Sequence, residues 1–556
     1  MNGDEMRSTR RTVLAGLGGL GPTAFGPTIG SASDTPTLGT TSAEESSLHG
    51  SSALEAFVDD VIAERIGDVT PGATVAVVHR DGPILVKGYG TADANAENPV
   101  RATETGFQIG SVGKLVTWTA VMQGVERGTL NLDEDINTYL EDSEVTVPDT
   151  YDDPVTLRDL GTHTAGFESA IDPDVVADPD AIAPLETVLV EGQPPRVRPP
   201  GEIVGYSNYG AALAGHIVAE AYGTTFEEHI QSKTFEPLGM THSTFAQPIP
   251  EDHPGALAAG HTREGRTFRT AEEVFINMRP AGSMTTTASD MAAFMRAHLG
   301  AGAVDKTRIL STDVAQTMYE RHHVRHPAVT NWRYGFHEYG DPDANLIAHS
   351  GATINFTSYL LLAPDHDIGI FVAYNTNAGE HPKAVVDEIV AEYGLQPTPT
   401  TPTSTSKLGS QQRAETVAGE YSLTYLPQSG PLQVVDLLEH LTVEPADDGA
   451  LRTTTLDGND RRWIETEPYV YQGVGGHDTL AFDVADGDIE VMAMSSQPNG
   501  VYEPVPAHER QLVTGSVLGT ALSGFGLSLA GWSGLHSWRQ WKRYRTDGDP
   551  HRWNAE

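Results

Sequence analysis

The chain of 556 residues is long enough for a large core and an accessory domain, and its 76 acidic against 35 basic residues give a formal net charge of −41. That charge repels phosphate backbones, which argues against nucleic-acid binding, and apolar periodicity along most of the chain argues against an acidic disordered polymer. The absence of cysteine excludes disulfides, thiolate catalysis and cysteine-ligated metals.

Only seven lysines occur. An acidic, lysine-poor folded chain fits a halophilic source, because concentrated salt screens its self-repulsion. At the N-terminus, "STRRTVLAGLGGLGPTAFGPTIGSAS" pairs Arg10 with Arg11, continues through a weakly apolar stretch and ends on the small residues Gly30, Ser31 and Ala32. Residues 1–33 thus resemble a twin-arginine export signal; the alternative is a disordered terminus with a chance arginine pair. A Ser/Thr/Gly-rich leader fills 34–50.

A helical pattern starts at Ser52 (Leu54, Phe57, Val58, Val61, Ile62), and "ATVAVVH" and "PILVKGYG" read as a hairpin around Asp81-Gly82. A long helix is expected from about Ser111 to Arg127, stopped by Gly128, and a short one after the N-cap Thr156. The Pro-rich loop 193–201 precedes "GYSNYGAALAGHIVAEAYG", a loop feeding a helix, and "TTTASDMAAFMRAHLG" is a further capped helix. Strands near "NLIAHSG", "FTSYLLLA" and "DIGIFVAYN" and a helix over 381–394 complete an α+β unit at 51–395. It reads as an antiparallel sheet covered by helices, with a helical subdomain.

The Pro/Thr-rich segment 396–412 is a linker. Short alternating runs between Asp/Gly turns make 413–510 a small all-β domain. From Gln511 to Trp538 there is no Asp, Glu, Lys or Arg, longer than the about 20 residues a membrane span needs. A transmembrane helix is therefore expected over 511–538, with Gly515 and Gly519 as a close-packing face. The basic cluster Arg539, Lys542, Arg543 and Arg545 in the tail 539–556 then lies on the cytoplasmic side and the bulk of the protein outside. A packed Gly-rich helix is the alternative.

The chemistry centres on Ser111-Val112-Gly113-Lys114. Residues three apart at a helix start share a face, so a lysine deprived of its charge by burial can take the serine proton. The helix N-terminus adds amides for a developing oxyanion. Alone, S-x-x-K recurs by chance. Tyr206-Ser207-Asn208 and His349-Ser350-Gly351 follow; tyrosine can shuttle a proton, asparagine can hold lysine and substrate, and glycine lets substrate lie against backbone.

In that order the motifs resemble the serine β-lactamase-like and penicillin-binding family, in particular its class C β-lactamase, D-alanyl-D-alanine carboxypeptidase and esterase branch. The resemblance covers roughly 55–395 and rests on "FQIGSVGK", "LRDLGTHTAGF", "YSNYGAALAGHIVAEAYG", "PAGSMTTTASDMAAFM" and "HSGATINFTSYLLLAPDHDIGIFVAYN". It implies the family's α+β fold. It also implies Ser111 as the acylated nucleophile, Lys114 as its base partner and Tyr206 as the proton shuttle. Asn208 would orient Lys114 and substrate, His349 with Gly351 would line the site, and the Ser111 and Ala352 amides would form the oxyanion hole. No cofactor or metal is implied. Two departures stand out: His-Ser-Gly replaces Lys-Thr-Gly, which weakens recognition of a substrate carboxylate, and Asn355 stands where many relatives have Gly.

His163 is expected as structural support. "RHHVRH", with His322, His323 and His326, reads as a solvated loop rather than a metal site, and "PDHDIG" as a turn. The expected function is exported hydrolysis of small-molecule or peptide esters or amides, D-amino-acid peptides or β-lactams among them, with the membrane as partner through the C-terminal helix. The alternative is a catalytically silent binding, sensor or scaffold protein on the same fold.

Overall fold

The computed structural model describes residues 51–547 apart from 97, 170–174, 399–401, 403–408, 431–432, 437–438 and 456–459. The signal-like segment, the leader, much of the linker and residues 548–556 therefore lie outside the described residues. Helix α1 (Ser51–Ala63) leads into β1 (Gly72–His79) and β2 (Gly82–Asp93), which form the hairpin expected at Asp81-Gly82, with His79 facing Gly82. With β3 (Asn98–Pro99), β4 (His337–Glu338), β5 (Ile347–Ala352), β6 (Thr357–Ala363) and β7 (Ile368–Tyr374) they make a seven-stranded sheet in the order β4-β5-β6-β7-β1-β2-β3. Each neighbouring pair is antiparallel.

Every residue of the central strands β6 and β7 is buried, so these strands read as near-continuous apolar runs, with Thr357 and Ser358 of β6 satisfied by backbone carbonyls. Both faces are covered. On one, Val75 and Val77 of β1 pack with Leu54 and Val58 of α1 and with Val385 and Ile389 of α5 (His381–Glu392). On the other, Ala76 and Val78 meet a larger core that holds α2 (Lys114–Glu126), α3 (Asn208–Tyr222) and α4 (Ala288–Leu299). α2 is buried on every side from Lys114 to Gly124, the burial pattern of a helix threaded through a core. Each fully enclosed valine or leucine here contributes about 1.5–3 kcal/mol relative to exposure.

The expected 111–127 helix forms in two parts. A 3₁₀ turn spans Gly110–Gly113, and the α-helix starts at Lys114. Gly128 at φ +70° ends it. Thr156 caps its short helix in a reciprocal capping box with Asp159.

The small β domain is a closed eight-stranded barrel, β8 (Gly419–Leu423) through β15 (Tyr502–Pro504), so its sheet has no open edge. Beyond it, α6 (Gln511–Asp547) runs for 37 residues. The expected transmembrane segment requires correction: among the described residues no helix is long and apolar enough to cross a membrane. The stretch is uncharged, but Gly, Ser and Thr dilute its leucines, and lack of charge is not hydrophobicity. The "RHHVRH" segment is a loop with Arg321 and Val324 exposed, as expected, but it is also anchored, with the His322 ring stacked on Tyr334 at 3.9 Å and His323 bridged to Trp332 in the backbone.

Candidate active site

Three elements converge on Ser111. The 3₁₀ turn ahead of α2 carries it, the loop before α3 carries Tyr206 and the first position of α3 is Asn208, and the C-terminal half of β5 carries His349, Gly351 and Ala352. Ser111 remains partly exposed while Lys114 is completely buried.

Lys114 Nζ lies 2.9 Å from Ser111 Oγ, 2.8 Å from Asn208 Oδ1 and 2.5 Å from the Ala281 carbonyl oxygen. Burial holds its pKa well below the ordinary lysine value. A neutral amine has two N–H bonds and one lone pair. Asn208 Oδ1 and the Ala281 carbonyl accept only, so they take both N–H bonds. The lone pair is then left for Ser111, whose hydroxyl becomes the donor. That is the arrangement a base needs.

Burial pushes the pKa of the Tyr206 phenol up, the nearby Ser111 hydroxyl offsetting part of the rise, so it is held as a protonated phenol. Lys114 Nζ sits 5.0 Å from the centre of the Tyr206 ring. His163 supports this loop as expected. Its carbonyl accepts from the Gly205 amide at 2.8 Å, and its Nδ1 accepts from the Ser207 amide at 3.2 Å. Its own backbone is left-handed at φ 57°, and its ring packs 4.4 Å from those of Tyr206 and Trp332.

Gly110 has φ +53°, and a Cβ there would fall 2.6–2.8 Å from the backbone of Ala352. Glycine therefore lets the Ser111 turn lie directly against the backbone of Ala352. A Cβ on Gly351 would fall 2.0 Å from the Ile109 carbonyl oxygen, and Ser358 Oγ donates to that same oxygen at 2.7 Å. His349 is buried, with its pKa pushed well below the ordinary histidine value by burial, then by Lys114 and His337. Its Nδ1–H donates to the Ser350 carbonyl at 2.5 Å, and its Nε2 has no partner. The third-motif position thus presents an uncharged ring. Asn355 ties the following loop to the Glu272 carbonyl at 3.2 Å.

Lys114 is thus brought to Ser111, Asn208 and the Tyr206 ring to Lys114, His349 to Tyr206, and Gly351 and Ala352 to the backbone that leads into Ser111. Missed were the Ala281 carbonyl, Trp332 and two contacts from the barrel, Tyr425 and Asn499. A backbone acceptor leaves no signature in residue type, and nothing local marks a wall supplied by another domain.

The Beta-lactamase family model matches residues 58–395, more than half of the chain. The chain belongs to the beta-lactamase family. Penicillin-binding protein 4 of Amycolatopsis lactamdurans is 30% identical over 325 residues, 56% of this chain and 81% of that protein. Protein flp of Staphylococcus aureus is 26% identical over 318 residues, 57% of this chain but only 61% of its own length. Two solved structures share the fold over 82% of this chain and 99% of their own. They are the octameric penicillin-binding protein homologue from Pyrococcus abyssi (21% identity, TM-score 0.52) and SurE (20% identity, TM-score 0.57).

Proposed function

We propose that this beta-lactamase family protein is an exported serine hydrolase that works through an acyl-enzyme on Ser111. The observation that carries the reading is the Lys114 triangle, in which two obligate acceptors consume both N–H bonds and leave the lone pair to Ser111. Lys114 takes the hydroxyl proton as Ser111 Oγ bonds to the substrate carbonyl carbon. The negative oxygen that forms is held by the Ser111 and Ala352 amides. Collapse breaks the bond to the leaving group, which takes the Tyr206 proton, and Lys114 returns a proton to Tyr206. Water then attacks the ester, with Tyr206 and Lys114 relaying its proton, and Ser111 is freed.

Substrates are esters or amides. The uncharged His349 offers no cation to a substrate carboxylate, which favours neutral esters and D-amino-acid amides over β-lactams. The twin-arginine-like segment supports an extracytoplasmic site of action. Ser111→Ala is expected to abolish hydrolysis of p-nitrophenyl acetate by purified protein in molar KCl. Turnover unchanged by that substitution would refute the reading, whereas a wild type that neither turns over nor labels would favour a silent scaffold.

A further inference from the structure

The loop that carries Tyr206 is gripped from both sides, and the second side belongs to the barrel. The Tyr206 amide donates to the Asn499 carbonyl at 2.8 Å, and Gly205 pairs with Gly500 as an antiparallel bridge. Thr424 Oγ1 donates to the Val204 carbonyl at 2.8 Å and accepts from the Val501 amide at 3.0 Å, knotting two barrel segments to this loop. Trp332, which packs on Tyr206, donates its indole N–H to the Pro498 carbonyl at 2.5 Å. Glu168 accepts from the amides of Gln428 and Ser429 at 2.5 and 2.6 Å, fixing the barrel turn that carries Tyr425.

Tyr425 is the barrel residue that reaches the catalytic phenol. Its ring meets that of Tyr206 edge-to-face, with centroids 5.9 Å apart. Val204, Tyr206 and Trp332 form a small apolar cluster of their own, and Tyr425 packs against it. The phenol of Tyr206 is thus boxed by His163 and Trp332 from the hydrolase domain and by Tyr425 from the barrel. Remove the barrel ring and the box opens on one side.

We propose that the barrel is a wall of the acylation site and that Tyr425 is a positioning residue, holding the Tyr206 ring so that its hydroxyl stays on Ser111. This rests on the reading of Ser111 as nucleophile. A catalytic group displaced by about 1 Å costs on the order of 10²-fold in rate, so a missing packing face has a kinetic signature.

The test measures phosphonylation of wild type, Tyr425→Ala and Tyr425→Phe by a fluorophosphonate probe, in which the serine oxygen bonds to phosphorus and fluoride leaves, recording rate constant and final stoichiometry separately. Failure of wild type to label would overturn the nucleophile assignment itself. Given a labelling wild type, Tyr425→Ala is expected to reach full stoichiometry with a rate constant lowered roughly 10- to 100-fold. Tyr425→Phe, which keeps the ring and loses only the hydroxyl, is expected within about threefold of wild type, a change of under 1 kcal/mol in barrier. An unchanged rate in Tyr425→Ala would overturn the inference. So would a loss of stoichiometry at unchanged rate, which marks misfolding alone, or an equal loss in both variants.

Discussion

At the scale of single residues, Lys114 concentrates the chemistry, and its behaviour follows from where it is placed. Arg cannot replace it, because a guanidinium keeps its proton; Lys114→Arg is expected to lower kcat by about 10²–10⁴-fold, the usual worth of a general base. The depressed pKa also carries a stability signature. Between the lowered folded value and the ordinary lysine value of about 10.4, the unfolded chain binds a proton that the folded chain rejects. Stability therefore rises with pH across that window. Lys114→Met is expected to flatten the rise, measured as urea midpoints at pH 7 and pH 9; an unaltered slope would show that the buried amine is charged. The pH–rate profile of wild type should lose activity on the acid side, as Lys114 takes up its proton.

At the scale of elements, the turn Gly110–Gly113 matters more than the helix it precedes. The backbone of Ala352 occupies the space a Cβ on Gly110 would need, and backbone yields less readily than a flexible side chain. Gly110→Ala should push the Ser111 amide away from the Ala352 amide, lowering the acylation rate constant by about 10²–10³-fold as an oxyanion donor is lost. Stopped-flow acylation by an activated ester measures it, and a near-wild-type rate would remove these amides from the mechanism. The elements that reacting groups must populate were legible because chemistry restricts residue type. Ser111, Lys114, Tyr206 and Asn208 are spelled out as S-x-x-K and Y-x-N. The hairpin at Asp81-Gly82 was legible from its turn, and the helix end at Gly128 from glycine's freedom at positive φ. The C-terminal helix was misjudged because a run without charge was read as apolar, although hydropathy depends on what replaces the charges.

At the scale of the molecule, two domains share one site. Sequence could show a β-rich second domain but not its docking, because Asn499 and Gly500 act through backbone pairing that many residue types could make, and the Thr424 hydroxyl meets only backbone groups. The formal charge of −41 also acts here. Self-repulsion in dilute buffer opposes the compact state, and the Debye length shrinks from about 10 Å at 0.1 M to about 3 Å at 1 M salt. The melting temperature is expected to rise steeply between 0.1 M and 2 M KCl, followed by circular dichroism. A flat dependence would mean that charge self-repulsion does not limit the stability of this fold.

The nucleophile itself remains the most direct point of attack. Purified protein treated with a fluorophosphonate probe in molar KCl should gain one adduct per chain by intact mass, and digestion should place it on the peptide bearing Ser111. Lys114→Arg should label far more slowly. A chain that stays unmodified while folded, or an adduct mapped to any other serine, would contradict the account.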